Sequence, residues 1–209
     1  MIEYPKIETL FDRDPKTHKV DPQAVRLREF SLIREWRLTE KVDGTNIRVH
    51  LSEEDAVTIG GRTDSTQVPP KLFSRLYEHF TPALMAGLRI GEEPVTITLF
   101  GEGHGAGIQK GGIYSETQEF ALFDVLVADR WWLGVEAVRE IGEKVGVPVV
   151  PYLGVFLGLE DVVEFVRSRP ATQLSLQGGP AEGIVSRTDP LLYDNQGQRI
   201  MYKLKWKDF

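Results

Sequence analysis

The sequence predicts an α+β fold with antiparallel sheets flanked by helices. Short segments in which apolar and polar residues alternate recur along the chain and are joined largely by tight turns, the signature of hairpin-connected strands. Mixed among them are segments whose apolar residues return at helical spacing. Together these favour antiparallel sheets over a doubly wound parallel one.

Residues 37–51 read as strand on both sides of an Asp43-Gly44 turn. Trp36, Leu38 and Val42 precede the turn, and Ile47 and Val49 alternate with Asn46, Arg48 and His50 after it. Lys41 is therefore expected at the mouth of a hairpin. Residues 56–62 return as a strand across the acidic turn Ser52-Glu53-Glu54-Asp55. Pro69-Pro70 opens a helix over 70–87, with Leu72, Leu76, Phe80 and Leu84 on one face. A strand from Val95 to Phe100 leads into a glycine-rich loop at 101–112. Residues 119–127 form a second strong strand, which turns through Ala128-Asp129-Arg130 into Trp131-Trp132-Leu133. Residues 134–145 and 159–168 read as helices, and 183–187 and 199–206 as closing strands. Segments 65–70 and 176–182 are expected to be mobile loops.

The 209 residues suit a single domain able to bury roughly 70% of its unfolded surface. With no cysteine, the chain has no disulfide framework, thiolate zinc site or cysteine nucleophile, and the four histidines lack zinc-like spacing. No secretory signal is visible at the N-terminus, and no apolar run nears the roughly 20 residues that span a bilayer. A reducing, cytoplasmic setting is expected. The net charge of −6 counts against a general nucleic-acid binder, but the charge is uneven. Acidic residues gather at 53–55, 92–93, 136–143 and 160–164, read as solvated faces. The last eleven residues carry Arg199, Lys203, Lys205 and Lys207 against Asp208 alone. Lys203 and Lys205 are two apart on a strand and point to one face.

Glu40-Lys41-Val42-Asp43-Gly44-Thr45-Asn46 is the stretch that says most about chemistry. Alone, Lys-x-Asp-Gly is an ordinary turn. It gains meaning from later segments of the chain: Gly61-Arg62-Thr63, Phe100-Gly101-Glu102-Gly103, Phe120-Ala121-Leu122-Phe123-Asp124-Val125, Glu182-Gly183-Ile184-Val185 and Tyr202-Lys203-Leu204-Lys205. These six segments, in this order over residues 40–205, resemble the motifs of the covalent nucleotidyltransferases, which comprise DNA ligases, RNA ligases and mRNA capping enzymes. Within that superfamily the chain is most similar to the nick-sealing, double-strand type of ATP-dependent RNA ligase. The tail Gly105-Ala106-Gly107-Ile108-Gln109-Lys110 and the ending Lys203-Leu204-Lys205-Trp206-Lys207 carry that narrower resemblance. Several members have His where this chain has Asp43. These ligases usually continue into a second domain, so the chain is expected to be the catalytic domain alone, 1–209.

The resemblance implies an adenylyltransferase fold with a nucleotide cleft between the sheets. It implies that Lys41 attacks the α-phosphate of ATP, forms lysyl–AMP and releases pyrophosphate. AMP then passes to a 5′-phosphate, and a 3′-hydroxyl displaces it. A lysine amine attacks only when neutral, and an ordinary lysine has a pKa near about 10.4, so neighbouring cations are wanted. Lys203 and Lys205 supply them and are counted with Lys41 as catalytic; an exposed lysine-rich edge strand is the alternative. Nucleotide binding is assigned to Glu40, Lys41, Asn46, Arg62, Glu102, Phe123, Glu182, Lys203 and Lys205. Arg62 can fork onto a phosphate, and Lys110 can touch one from its loop. Glu40 is expected to accept a hydrogen bond from the adenine amino group, by side chain or backbone. Phe123 is expected to stack on the adenine, though an aromatic in an apolar strand also reads as core, and Phe120 can take the stacking place. Glu102 and Glu182 are the metal candidates, for Mg2+ or Mn2+, both suited to oxygen ligands and retained waters. Either glutamate also reads as a surface residue, Asp43 as a turn former and His104 as a polar loop residue.

RNA with nicked or broken ends is the expected partner. Its binding is expected to be weak and salt-sensitive, with basic surface confined to Arg62, Lys110, Lys203, Lys205 and Lys207. A DNA ligase core is the rival, and a nucleotide- or RNA-binding module that has lost sealing is the non-enzyme alternative. A capping guanylyltransferase fits less well. No residue names a helper subunit or an end-healing enzyme.

Overall fold

The computed structural model describes residues 1–17, 20–89, 91, 93–175 and 178–209. Glu92 of the acidic group and residues 176 and 177 of the 176–182 loop lie outside the described residues. The chain forms two compact units, one of Met1–Pro5 with Asp43–Val150 and the other of Lys6–Val42 with Pro151–Phe209. The fold is α+β, as expected.

The first unit is built on a five-stranded antiparallel sheet in the order Val57–Gly60, Thr45–Leu51, Ile97–His104, Glu119–Val127, Trp131–Trp132. Ile47, Val49 and Leu51 project from one face of their strand, as their period of two requires, and are fully buried. They share a core with Leu72, Leu76 and Phe80 of the helical segment and Val138 and Val145 of the helix Val135–Val145. Burying each such side chain contributes roughly 1.5–3 kcal/mol before chain entropy is counted. The helix expected over 70–87 is two, Pro70–His79 and Pro82–Ala86. Pro82 has no N–H to continue the ladder, so it starts a new helix behind the N-cap Thr81, whose hydroxyl accepts from the Leu84 amide at 3.2 Å. The strand beginning near Val95 also runs further than expected. It continues through Gly101-Glu102-Gly103 to His104, because strands on both sides offer ladder partners.

The second unit has a five-stranded sheet in the order Glu8–Thr9, Met201–Lys205, Gly183–Arg187, Glu35–Lys41, Tyr152–Leu157. All pairs are antiparallel except the short parallel one between Glu8–Thr9 and Met201–Lys205. Phe11–Arg13 and Val20–Val25 form a separate two-stranded sheet. Trp36, Leu38, Ile184, Tyr202 and Leu204 cover one sheet face and pack with Phe30 and with Val162 and Val166 of the helix Gly158–Arg167. Strand Tyr152–Leu157 had no clear alternation in the sequence, since its half-buried edge position spreads its apolar residues over both faces.

The hairpin expected around Lys41 does not form. Glu35–Lys41 pairs with Gly183–Arg187 and Tyr152–Leu157, whereas Thr45–Leu51 pairs with Val57–Gly60 and Ile97–His104. Trp36 and Leu38 belong to one core, and Ile47 and Val49 to the other. The turn Asp43-Gly44 therefore redirects the chain between sheets instead of closing a ribbon. No helix among the described residues is long and apolar enough to cross a membrane.

Candidate active site

Lys41 is the last residue of its strand and faces Gly183, which in turn faces Lys205. Residues directly opposite in an antiparallel ladder project to the same face, so the two lysines flank a glycine in one row across three strands. A side chain cannot be added to that glycine, because a Cβ there would lie 2.2 Å from the Leu204 carbonyl oxygen. Glu182, just before it, bridges the lysines. Its Oε2 accepts from Lys41 Nζ at 2.5 Å and its Oε1 from Lys205 Nζ. The three side chains are largely buried, with 22% of each lysine and 13% of Glu182 exposed. Burial alone would raise the Glu182 carboxyl, but Lys41 and Lys205 outweigh it and hold the group below the usual carboxylate range. Lys203, half-buried and facing Val185, projects to the same face one row away, as expected from its spacing.

Glu40 points to the opposite face and is buried. Its Oε1 accepts from the Thr172 hydroxyl and its Oε2 from the Gln173 amide at 2.9 Å. Burial pushes this carboxyl up, and the two hydrogen bonds act against that. Both oxygens of the residue expected to read adenine are thus engaged in fastening the 172–173 segment to the strand. Its backbone N–H also donates to the Pro151 carbonyl at 2.8 Å.

The remaining candidates belong to the other unit. Asn46 and Glu102 are direct cross-strand partners and so share a face. The Asn46 Oδ1 is buried and has no hydrogen-bond partner among the described residues, an acceptor oriented by the sheet. Phe123 is the extra residue of a β-bulge, since Phe100 faces Asp124 while Gly101 faces Leu122. Bulges re-aim side chains. Phe123 is half-buried, and the Tyr4 ring meets it edge-on at 5.0 Å, whereas Phe120 is 4% exposed in the core. This separates two aromatics that the sequence alone left interchangeable. Arg62 is exposed, and no hydrogen bond or ion pair engages it among the described residues. Lys110 is exposed at the start of the turn Gly111–Ile113.

Three residues outside the expected set shape these positions. Arg48, fully buried, donates from Nε to the Gly61 carbonyl at 2.6 Å, from Nη1 to the Met1 and Ile2 carbonyls, and from Nη2 to Asp64 Oδ1 at 2.9 Å. It pins the segment from which Arg62 projects. Tyr4 donates to Asp124 Oδ2 at 2.8 Å while packing on Phe123. Tyr114 accepts from the Asp43 amide at 3.1 Å. Neither Arg48 nor Tyr4 breaks a local sequence rule: Arg48 falls on one of the polar positions of an alternating strand, which gave no sign that it would be buried.

The donor set suits a hard cation. Among the described residues no group of three or more His, Cys, Asp or Glu side chains is placed to hold a metal by itself. A single carboxylate ligand, from Glu182 or Glu102, is compatible with Mg2+ or Mn2+, which keep waters and share ligands with substrate phosphates.

His104 is 3% exposed, and among the described residues neither ring nitrogen has a hydrogen-bond partner. Burial lowers its affinity for a proton, with Glu119 opposing, and burial likewise lowers that of His50. A depressed histidine stays neutral when folded and gains a proton when unfolded near pH ~6.5, so stability is fully present above that value. It is lost as pH falls from there through the folded pKa. Glu40, raised, contributes with the opposite sign. His104→Phe should therefore lose less stability than the wild-type chain between pH 7.5 and 5.5. Urea midpoints at the two pH values measure this. Equal losses in both proteins would show that His104 does not titrate with folding.

The sequence profile of the RNA ligase family matches residues 34–205. The chain belongs to the RNA ligase family, and the fold is that of ligase-type nucleotidyltransferases. Among solved structures it is similar to Naegleria gruberi RNA ligase, in an alanine variant with ATP and Mn, at 17% identity and a TM-score of 0.64, covering 98% of this chain and 62% of that one. The same enzyme with PPi matches at 16% identity and a TM-score of 0.61, covering 98% and 62%. An archaeal ATP-dependent RNA ligase matches at 17% identity and a TM-score of 0.60, covering 99% of this chain and 48% of the other. The chain thus spans about half to three-fifths of the length of these structures. No curated protein matches it.

Proposed function

We propose that the chain catalyses ATP-dependent joining of RNA ends through a covalent lysyl–AMP formed at Lys41. The observation that carries this reading is the row Lys41–Gly183–Lys205 with Glu182 clasping both ammonium groups. An ammonium has no lone pair, so Lys41 must leave the carboxylate and give up its proton before it attacks. The α-phosphate of ATP is the group such a row would bind: Lys203 and Lys205 would neutralise its oxygens, and the in-line pyrophosphate would depart. Mg2+ or Mn2+ held by Glu182, with Glu102 as the second candidate, would supply further charge neutralisation at the phosphates. Asn46 and Arg62 would contact the nucleotide, and Phe123 would cover the adenine face. Engagement of the Glu40 carboxylate by Thr172 and Gln173 leaves adenine reading to its backbone or to a rearranged side chain.

The RNA ligases named among the similar structures, one with ATP and Mn, support the choice of nucleotide and metal. Incubation with α-labelled ATP and Mg2+, then denaturing electrophoresis, should leave label on the protein, and α-labelled GTP should leave at least about tenfold less, a difference of about 1.4 kcal/mol. Equal labelling by both would turn the reading toward capping-like chemistry. Turnover on matched RNA, DNA and hybrid nicks separates the RNA ligase reading from a DNA ligase core: preference for an all-DNA nick would overturn the former.

A further inference from the structure

The nucleophile motif is divided between the two units, with Lys41 and Val42 in one and Asp43 and Gly44 in the other. The segment beginning at Asp43 is held from two sides. Gly44 approaches so closely that a Cβ would lie 2.2 Å from the Gly103 carbonyl oxygen. The Asp43 amide donates to the Tyr114 hydroxyl at 3.1 Å. Tyr114 itself is well anchored. It is 7% exposed, its amide donates to the Gly111 carbonyl at 2.9 Å, and the His104 ring meets it edge-on at 5.6 Å. The glycine-rich segment that presents it is fastened in turn. Ile108 is buried in the core, and Gln118 joins the Ala106 carbonyl to the Leu72 amide. A hydroxyl on so fixed a support acts as a preformed socket for one backbone amide, two residues past the nucleophile.

Resting on the lysyl–AMP reading, we infer that Tyr114 is a positioning residue for adenylylation, whose hydroxyl fixes the Asp43 amide and thereby the path of the chain leaving Lys41. Tyr114 does not touch the reacting atoms in this role. Its contribution is to orientation, where small displacements of a reacting group are costly. Ground-state affinity for ATP, set by other side chains, is not what it controls.

The test is Tyr114→Phe, which keeps the buried ring and removes only the hydroxyl. Single-turnover labelling across a range of ATP concentrations should show a maximal rate about tenfold lower, with half-saturating ATP within about twofold of wild type. Hydrogen exchange at the Asp43 amide should quicken while the melting temperature changes little. A wild-type maximal rate in Tyr114→Phe, or a change confined to half-saturating ATP, would overturn this inference alone. Absence of label on the wild-type protein would instead overturn the lysyl–AMP reading and this inference with it.

Discussion

Lys41→Ala should leave a folded protein that takes no covalent label from ATP, a loss of more than about a thousandfold in the rate of adduct formation. The alanine variant removes one of the two ammonium groups on Glu182, but Lys205 still pairs with that carboxylate. With 22% of the lysine side chain exposed, the stability cost should stay near or below about 1 kcal/mol. Lys41→Arg makes the sharper comparison. Arginine can keep the ion pair to Glu182, yet its guanidinium does not give up a proton and cannot act as the nucleophile. Loss of label in both variants, with far-UV circular dichroism and urea midpoints close to wild type, is the expected outcome. Label persisting in Lys41→Ala and mapping to Lys203 or Lys205 would reassign the nucleophile.

Glu182→Gln should slow labelling by about a hundredfold, the scale on which a preorganised charged group at a phosphoryl centre acts. Two losses coincide in it. The neutral amide is a poor ligand for Mg2+ or Mn2+, and it no longer compensates the two ammonium groups that converge on it. Stability should fall by about 1–2 kcal/mol rather than the larger cost of a sealed ion pair, because both lysines can swing toward solvent. The pH dependence has a definite sign. Glu182 is held below its ordinary value, so it contributes stability above its unfolded pKa, and that contribution is lost as pH falls through the folded value. Glu182→Gln should therefore remove part of the acid-side loss of stability, while Glu182→Asp should keep the charge and recover part of the rate. Labelling time courses and urea midpoints from pH 6 to 3.5 read both effects. Unchanged labelling in Glu182→Gln would remove this carboxylate from the proposed chemistry.

Much of the fold was legible because its signals are local. The strands Glu119–Val127 and Gly183–Arg187 follow from their apolar, β-branched and aromatic composition, and the helix Val135–Val145 from its apolar spacing. The break at Pro82 was legible too, in that proline removes a donor, but the apolar face running from Leu72 to Leu84 masked it. What escaped were decisions between distant partners. Nothing near Lys41 distinguishes a turn that closes a hairpin from one that passes the chain into another sheet. That choice rests on Gly183 and Tyr152–Leu157 pairing on one side, and on Ile97–His104 on the other.

The same division holds for the candidate site. By itself the sequence determined which residue types were present and in what order, from Lys41 to Lys205, and that Lys203 and Lys205 share a strand face, since both follow from chain order and a period of two. Only the tertiary structure decided that Gly183 sets Lys41 and Lys205 in one row, that Glu182 clasps both, and that a bulge turns out Phe123 while Phe120 stays in the core. It alone revealed that Thr172 and Gln173 occupy Glu40, and that Tyr114 holds Asp43. The reason is physical. Backbone periodicity is encoded within a few residues, whereas ladder register and side-chain pairing depend on partners that meet only after the chain has collapsed around its buried faces.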